Sequence, residues 1–361
     1  MPLVPSYIKN LTSYKPGKSI SEAKSEIGIK NFIKLASNEN PLGPSPKSID
    51  AIRKVELEIH RYPDATGLKL RKKLASLYKI KTENVILGAG SEGIMSTIMR
   101  TFLLNDDELI SASNSFIGFK VLANASGRKV HWVPMNNNRY DLKRISNKIN
   151  DYTKIIYIAN PDNPTGSYIT KSEFDEFYKS VPDRVLIILD EAYFEYAQIL
   201  KTYPNSMNYR YNNVITLRTF SKVYGLAGIR IGYGFADQIL IDSLIKVKVP
   251  FEPSLLAQSA AYAALDDQKF LKKSLEVNLK GIKYLEHIFL KLGIHYIPSA
   301  TNFITTIWPS EKIASKITRD LLKNGIIVRQ LNAFGFPNYI RVSIGLEKEN
   351  INFANSLKKI L

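Results

Sequence analysis

Between residues 84 and 235 the chain carries seven short segments, at 84–87, 108–112, 129–133, 154–159, 184–189, 213–217 and 230–235. Most of them are continuously apolar rather than alternating. A strand with one face in water alternates, whereas a strand covered on both faces does not. Helical patterns at 94–103, 119–126 and 172–179 separate several of the segments. Strands buried on both faces and interleaved with helices predict a large α/β domain with a mostly parallel sheet flanked by helices. In such a sheet the ligand lies beyond the carboxyl ends of the strands, so the loops after these runs are where function is sought.

Outside this region the pattern changes. An N-terminal arm is broken by Pro16-Gly17 and followed by a predicted helix at 19–26 and a short strand at 32–36. Ser37 to Pro44 contains Asn-Pro and Gly-Pro steps and must be loop. Helices are predicted at 47–58 and 68–78, the second with Leu70, Leu74, Leu77 and Tyr78 at helical spacing. Lys248-Val249-Pro250-Phe251-Glu252-Pro253 reads as a hinge. Beyond it come a long helical region at 254–292, short strands at 302–307, 326–329 and 339–344, and helices at 312–322 and 350–360. The predicted division is an arm that joins the small domain (1–44), a large domain (45–250) and a smaller α+β domain (251–361).

Composition narrows the classes. The chain has 361 residues, enough for one large and one small domain. It has no cysteine, which excludes disulfides and thiolate metal sites. No apolar run approaches the roughly 18 residues a membrane helix needs. Met1-Pro2-Leu3-Val4-Pro5 lacks the basic region and apolar core of a signal peptide, so cytoplasmic residence is expected. The net charge of +17 invites a polyanion partner. However, Lys and Arg are spread through most predicted helices and mixed with Glu and Asp, which predicts a solvated basic surface and no nucleic-acid or membrane partner. His60, His131, His287 and His295 lack ligand or triad spacing, so no metal site is expected.

Lys222 stands in Thr219-Phe220-Ser221-Lys222-Val223-Tyr224-Gly225, with Arg230 downstream. By itself it is an ordinary lysine after a strand. Hydroxyls and a guanidinium, however, hold a phosphate dianion. A lysine beside them forms a Schiff base with an aldehyde whose phosphate they grip. Asp190 closes the apolar run Val185 to Leu189, and a carboxylate there is costly unless partnered. It is either a helix cap or the partner of a pyridine nitrogen, which it would keep protonated. Asn163, in the turn Asn160 to Gly166, and Tyr193 are possible donors to a ring oxygen, or simply a turn residue and a half-buried tyrosine. Gly88 to Gly93 follows a strand and opens a helix whose backbone N–H groups suit a phosphate. Phe116 begins a helix and either packs in the core or stacks on a planar ring.

Together Gly90-Ser91-Glu92, Asn163-Pro164-Thr165-Gly166, Asp190-Glu191-Ala192-Tyr193, Ser221-Lys222 and Arg230 resemble the class I/II aminotransferases, the fold-type-I pyridoxal-phosphate enzymes, over nearly the whole chain. Leu11 to Tyr14, Leu35 to Pro41, Arg61-Tyr62-Pro63, Thr301-Asn302-Phe303, Gly325 to Arg329 and Tyr339 to Gly345 are similar to the branch of that family acting on histidinol phosphate. The resemblance implies that Lys222 carries the Schiff base to pyridoxal 5'-phosphate, Asp190 pairs with the pyridinium, and Asn163 and Tyr193 contact the ring oxygen. Phe116 would stack on the ring. It stands where many relatives carry tyrosine, a change that keeps stacking and loses a phenol hydrogen bond. Ser221, Arg230 and the backbone of Ser91 and Glu92 would hold the phosphate, with Thr219 a further contact. Tyr62 would reach the phosphate in the neighbouring subunit of a homodimer. Arg341 would anchor the substrate's acidic group, and Arg329, Tyr14 and Asn40 would line its site.

The implied reaction is a ping-pong transamination of histidine biosynthesis. L-Histidinol phosphate and 2-oxoglutarate give imidazole acetol phosphate and L-glutamate. Aromatic amino-acid aminotransferases and threonine-phosphate decarboxylase share the scaffold and are the alternatives. A DNA-binding regulator on the same scaffold would need an added helix-turn-helix, for which the early start of the pattern leaves no room.

Overall fold

The computed structural model describes residues 3–13, 17–28, 31–208 and 211–361; Tyr14 lies outside the described residues. A short strand, β1 (Ile33–Lys34), precedes the large sheet. That sheet consists, among the described residues, of β2 (Val85–Gly88), β3 (Glu108–Ala112), β4 (Lys129–Val133), β5 (Thr153–Ala159), β6 (Leu186–Asp190), β7 (Val214–Thr219) and β8 (Gly232–Phe235). Their order is β2-β8-β7-β6-β5-β3-β4. From β7 to β4 the strands are parallel, and β8 runs against both of its neighbours. β2 therefore points the same way as the parallel set, and its carboxyl end lies on the same edge.

The continuous apolar runs have the predicted cause. Along β5, Ile155, Tyr157 and Ala159 enter a cluster with Ile94, Met95 and Phe119, while Ile156 and Ile158 enter another with Phe174 and Phe177. Successive side chains of a strand point to opposite faces, so β5 has no face in water. β4, at the edge, is only partly buried. The helix at Leu68–Tyr78 has the predicted bounds. The helix after β2 runs Gly90–Phe102 and begins four residues before the predicted start, inside the glycine run.

The predicted helical region at 254–292 is two helices, Leu255–Ala264 and Gln268–Lys291. Asp267 makes the break. Its carboxylate accepts the Phe270 N–H at 3.2 Å as a cap and the Ser45 hydroxyl at 2.6 Å. Ala257, Ala260, Ala261 and Ala264 pack with Leu70, Leu74 and Val85 in the core of the large unit. The apolar core of that unit thus continues past the predicted boundary at 251, and the Lys248–Pro253 segment is a turn within it.

The C-terminal unit carries β9 (His295–Ile297), β10 (Phe303–Ile307), β11 (Ile326–Ile327), β12 (Arg329–Leu331) and β13 (Phe336–Ser343). An antiparallel sheet has the order β12-β13-β10-β9, and β11 pairs in parallel with β1. The predicted strand at 326–329 is therefore split between two sheets. β1 ties the N-terminal segment to this unit. On the antiparallel sheet Arg329 and Arg341 are direct cross-strand partners. Among the described residues no helix is long and apolar enough to cross a membrane.

Candidate active site

Two adjoining cavities open at the carboxyl edge of the large sheet. One, about 280 Å³, is lined by the ends of β2, β5, β6 and β7: Gly90, Ser91, Glu92, Phe116, Asn163, Asp190, Tyr193, Thr219, Ser221, Lys222 and Arg230 all reach it. The other, about 420 Å³, lies between the two units and is lined by Asn38, Ile117, Val121, Leu122, Phe334, Arg329 and Arg341. Ser37, Glu92, Phe116, Asn163 and Lys222 belong to both walls. The lysine stands at the boundary.

The local sequence holds Lys222 there. Phe220 and Val223, on either side of it, are fully buried in the core of the large unit. Gly225, at φ +70°, turns the chain so that its N–H donates to the Lys222 carbonyl at 3.0 Å. With its neighbours anchored, the lysine is left at the cavity, its Nζ 5.5 Å from the centre of the Tyr193 ring.

Asp190 is buried at the last residue of β6. Its Oδ2 accepts the Tyr157 hydroxyl at 2.8 Å and its Oδ1 the Ala192 N–H at 3.2 Å. Burial pushes this carboxyl up to about 7 against those two donors. A carboxyl so placed gains its charge when a cationic N–H meets it. At the other end of the cavity the helix Gly90–Phe102 presents its first turn with no side-chain cap, which leaves backbone N–H groups for an anion. Ser221 Oγ accepts the Thr219 hydroxyl at 2.9 Å, which leaves its own proton to donate. Arg230 pairs with Glu92 at 3.0 Å. A β-carbon on Gly232 would lie 2.6 Å from the Gly90 carbonyl carbon and the Ser91 nitrogen, so glycine is required for β8 to approach this turn. An anion cradle at one end and a buried acid at the other fit a phosphorylated, protonatable pyridine.

Asn163 and Tyr193 are each oriented by hydrogen bonds to other residues. Arg341 donates to Asn163 Oδ1 and, at 2.8 Å, to the Ala36 carbonyl. The Asn163 amide oxygen is thereby used, and its NH₂ faces away from the arginine. The Tyr193 hydroxyl accepts from Asn38 Nδ2 at 2.9 Å, which frees its proton to donate elsewhere. Behind the site, Arg218 is fully buried and donates through Nε and Nη2 to Glu191 Oε2 at 2.9 and 2.8 Å.

Three predicted residues stand apart. Asn40 lines neither cavity. Its NH₂ donates to the Val223 carbonyl at 2.7 Å and to Ser274 Oγ at 2.9 Å, so it latches the Asn-Pro loop beside the lysine. Asn38, in the same loop, is the asparagine that reaches the site, and an Asn-rich loop gave no signal to choose between them. Tyr62 is 80% exposed and stacks on Phe251 at 4.4 Å, away from both cavities of its own chain. Tyr14 lies outside the described residues. Tyr157, the buried partner of Asp190, had no sequence signal, because it sits within an apolar strand.

The family described as "Aminotransferase class I and II" matches residues 30–356. Histidinol-phosphate aminotransferase 2 of Carboxydothermus hydrogenoformans is 39% identical over 99% of this chain and 99% of its own. The histidinol-phosphate aminotransferase of Moorella thermoacetica is 41% identical, covering 98% of this chain and 92% of its own. The crystal structure of histidinol-phosphate aminotransferase from Sinorhizobium meliloti in complex with pyridoxal-5'-phosphate superposes with a TM-score of 0.91 at 28% identity, over 100% of this chain and 98% of that one. These full-length matches agree with a site built around a lysine, a buried acid and an anion cradle, and the chain belongs to the class I and II aminotransferases.

Proposed function

We propose that this chain is a pyridoxal 5'-phosphate-dependent aminotransferase that converts L-histidinol phosphate and 2-oxoglutarate to imidazole acetol phosphate and L-glutamate in histidine biosynthesis. The observation that carries the proposal is Lys222 at the boundary of two cavities, one lined by a buried acid and the first turn of a helix and one walled by two arginines.

Ser221, Arg230, Thr219 and the first turn of the helix Gly90–Phe102 hold the phosphate. Asp190 holds the ring N–H. Asn163 and Tyr193 donate to the ring oxygen, and Phe116 covers a ring face. Bound there, pyridoxal phosphate supplies an aldehyde carbon and an electron-withdrawing ring. With the cofactor bound there, Lys222 Nζ would be the base that takes the proton from the substrate carbon and returns it at the cofactor's reactive carbon. Arg329 and Arg341 give the second cavity two guanidinium forks, as a site must have that takes a phosphate ester in one half-reaction and carboxylates in the other. Ile117, Val121, Leu122 and Phe334 offer an apolar wall for the substrate's flat ring.

A cytoplasmic homodimer belongs to the same proposal. Tyr62 is a large aromatic, 80% exposed although stacked on Phe251 of its own chain, near the exposed Leu57 and Ile59 in sequence, and a second copy would receive it at the cofactor phosphate. The test is a single-turnover panel with histidinol phosphate, phenylalanine and threonine phosphate on purified, cofactor-loaded protein. Histidinol phosphate is expected to react fastest, and a faster reaction with either rival would overturn the substrate assignment. Lys222→Ala should lose both turnover and the visible band of the lysine-bound cofactor.

A further inference from the structure

Behind the cofactor cavity lies a buried polar chain that none of the roles above uses. Asp162 is 1% exposed and Ser115 5%. Ser115 Oγ donates to Asp162 Oδ1 at 2.5 Å, and Asp162 Oδ2 accepts the Thr165 N–H at 3.1 Å and the Thr165 hydroxyl at 2.8 Å. Ser115 Oγ also lies 2.6 Å from the Tyr140 hydroxyl, which accepts the Ala159 N–H at 3.0 Å. The proton count gives this chain one direction. With the Ser115 proton committed to the carboxylate, Tyr140 donates to Ser115, and every donor is used. Neither Ser115 nor Asp162 lines the cavity. Each sits next in sequence to a residue that does: Ser115 to Phe116 after β3, Asp162 to Asn163 after β5.

We propose that Ser115 and Asp162 are positioning residues that clamp the loop after β3 to the turn after β5, and so set the ring-covering Phe116 and the ring-oxygen donor Asn163 relative to one another. The proposal rests on the pyridoxal-phosphate reading. A hydrogen bond to a buried carboxylate is stronger than a neutral one and directional. It spans two loops that no strand pairing ties together at this height, since the β3–β5 register ends at Ile110 and Ile156. Asn163 is fixed from the other side by Arg341, so its amide is held between the clamp and the C-terminal unit.

A donor to the ring oxygen competes with the proton on the adjacent lysine-derived nitrogen. Loss of that donor therefore raises the pH midpoint of the lysine-bound cofactor's visible band. The experiment compares wild type with Ser115→Ala, Ser115→Thr, Asn163→Ala and the Ser115→Ala/Asn163→Ala double variant, reading the pH midpoint of the band and cofactor retention on dilution. Ser115→Ala is expected to raise the midpoint and weaken retention by about tenfold to a hundredfold. Ser115→Thr, which keeps the hydroxyl, should restore both. The double variant should shift the midpoint no further than Asn163→Ala does alone. Should Ser115→Ala not fold, Tyr140→Phe carries the same test with a smaller upward shift. A folded Ser115→Ala whose only change is a lower Tm, or a double variant whose shifts add, overturns the clamp. Wild type that shows no visible band with the cofactor overturns the cofactor reading, and the clamp with it.

Discussion

Replacing Arg218 with methionine removes the cation that pairs with Glu191 in a buried cluster that holds two carboxyls. Arg218 gives two hydrogen bonds to Glu191 Oε2, and its guanidinium carbon lies 3.3 Å from the centre of the Phe194 ring. Glu191 and Glu195 are 1% and 4% exposed. Burial pushes both carboxyls up, Glu195 to about 7, and Arg218 opposes the shift in both. Methionine keeps much of the contact with Phe194 and drops the charge. Breaking a buried pair by removing one partner costs about 3–5 kcal/mol, because the other charge is left without compensation.

At roughly 2.1 cal/mol/K per residue, unfolding 361 residues carries about 0.8 kcal/mol per kelvin, so Tm should fall by about 4–6 °C. The loss should also depend on pH. Without Arg218 the folded-state values of both glutamates rise further above those of the unfolded chain. The fold then binds more protons than the unfolded chain, and its stability falls as pH rises. Denaturation midpoints of wild type and Arg218→Met should accordingly differ more at pH 8 than at pH 6, and adding Glu191→Gln to Arg218→Met should recover part of the loss. A deficit below about 1 kcal/mol, or one equal at both pH values, would refute the reasoning.

Two further perturbations test other parts of the fold. Hydrogen bonds from Lys129, Asn150 and His131 hold the Glu108 carboxyl down at about 2, against an ordinary 4.5. The unfolded chain therefore takes up this proton first as pH falls, and the stability from Glu108 is present above pH 4.5 and lost toward pH 2. Glu108→Gln should flatten that acid limb in a plot of denaturation midpoint against pH; an unchanged limb counts against the cluster. Gly232→Ala places a β-carbon against backbone at Gly90 and Ser91, which must move the first turn of the helix Gly90–Phe102, the proposed phosphate cradle. Cofactor retention, followed by the visible band, should weaken by about tenfold or more as charged hydrogen bonds are lost; full retention would mean the turn is not the cradle.

The fold was legible where the sequence pattern is itself a record of burial. The continuous apolar runs at 154–159 and 184–189 became β5 and β6, because a strand covered on both faces leaves no alternation to read. The helical region at 254–292 is helical as expected, and the break within it that the sequence does not show falls at Asp267, which caps Phe270 and also holds Ser45 across 222 residues of sequence. The strand at 326–329 was drawn as one because pairing partners, not local propensity, divide it between β1 and β13. In the site, Lys222, Asp190, Asn163, Ser221 and Arg230 do line one cavity; singly each has an ordinary structural reading, and it is the set, with the resemblance it carries, that singles them out in the sequence. Asn38 and Asn40 could not be told apart, since which amide faces the cavity depends on Tyr193 and Val223, both distant in sequence.

The sequence alone determined the class of sheet, the loops that carry chemistry and the residue types a phosphorylated pyridine needs, all properties of burial period and side-chain chemistry. Only the tertiary structure decided that Lys222 stands between two cavities, that Arg341 orients Asn163, that Tyr157 partners Asp190, and that Arg218 and Glu191 close the space behind them. Those are relations between residues brought together by packing. A hydrogen bond acts over about 3 Å in space, whatever the separation along the chain.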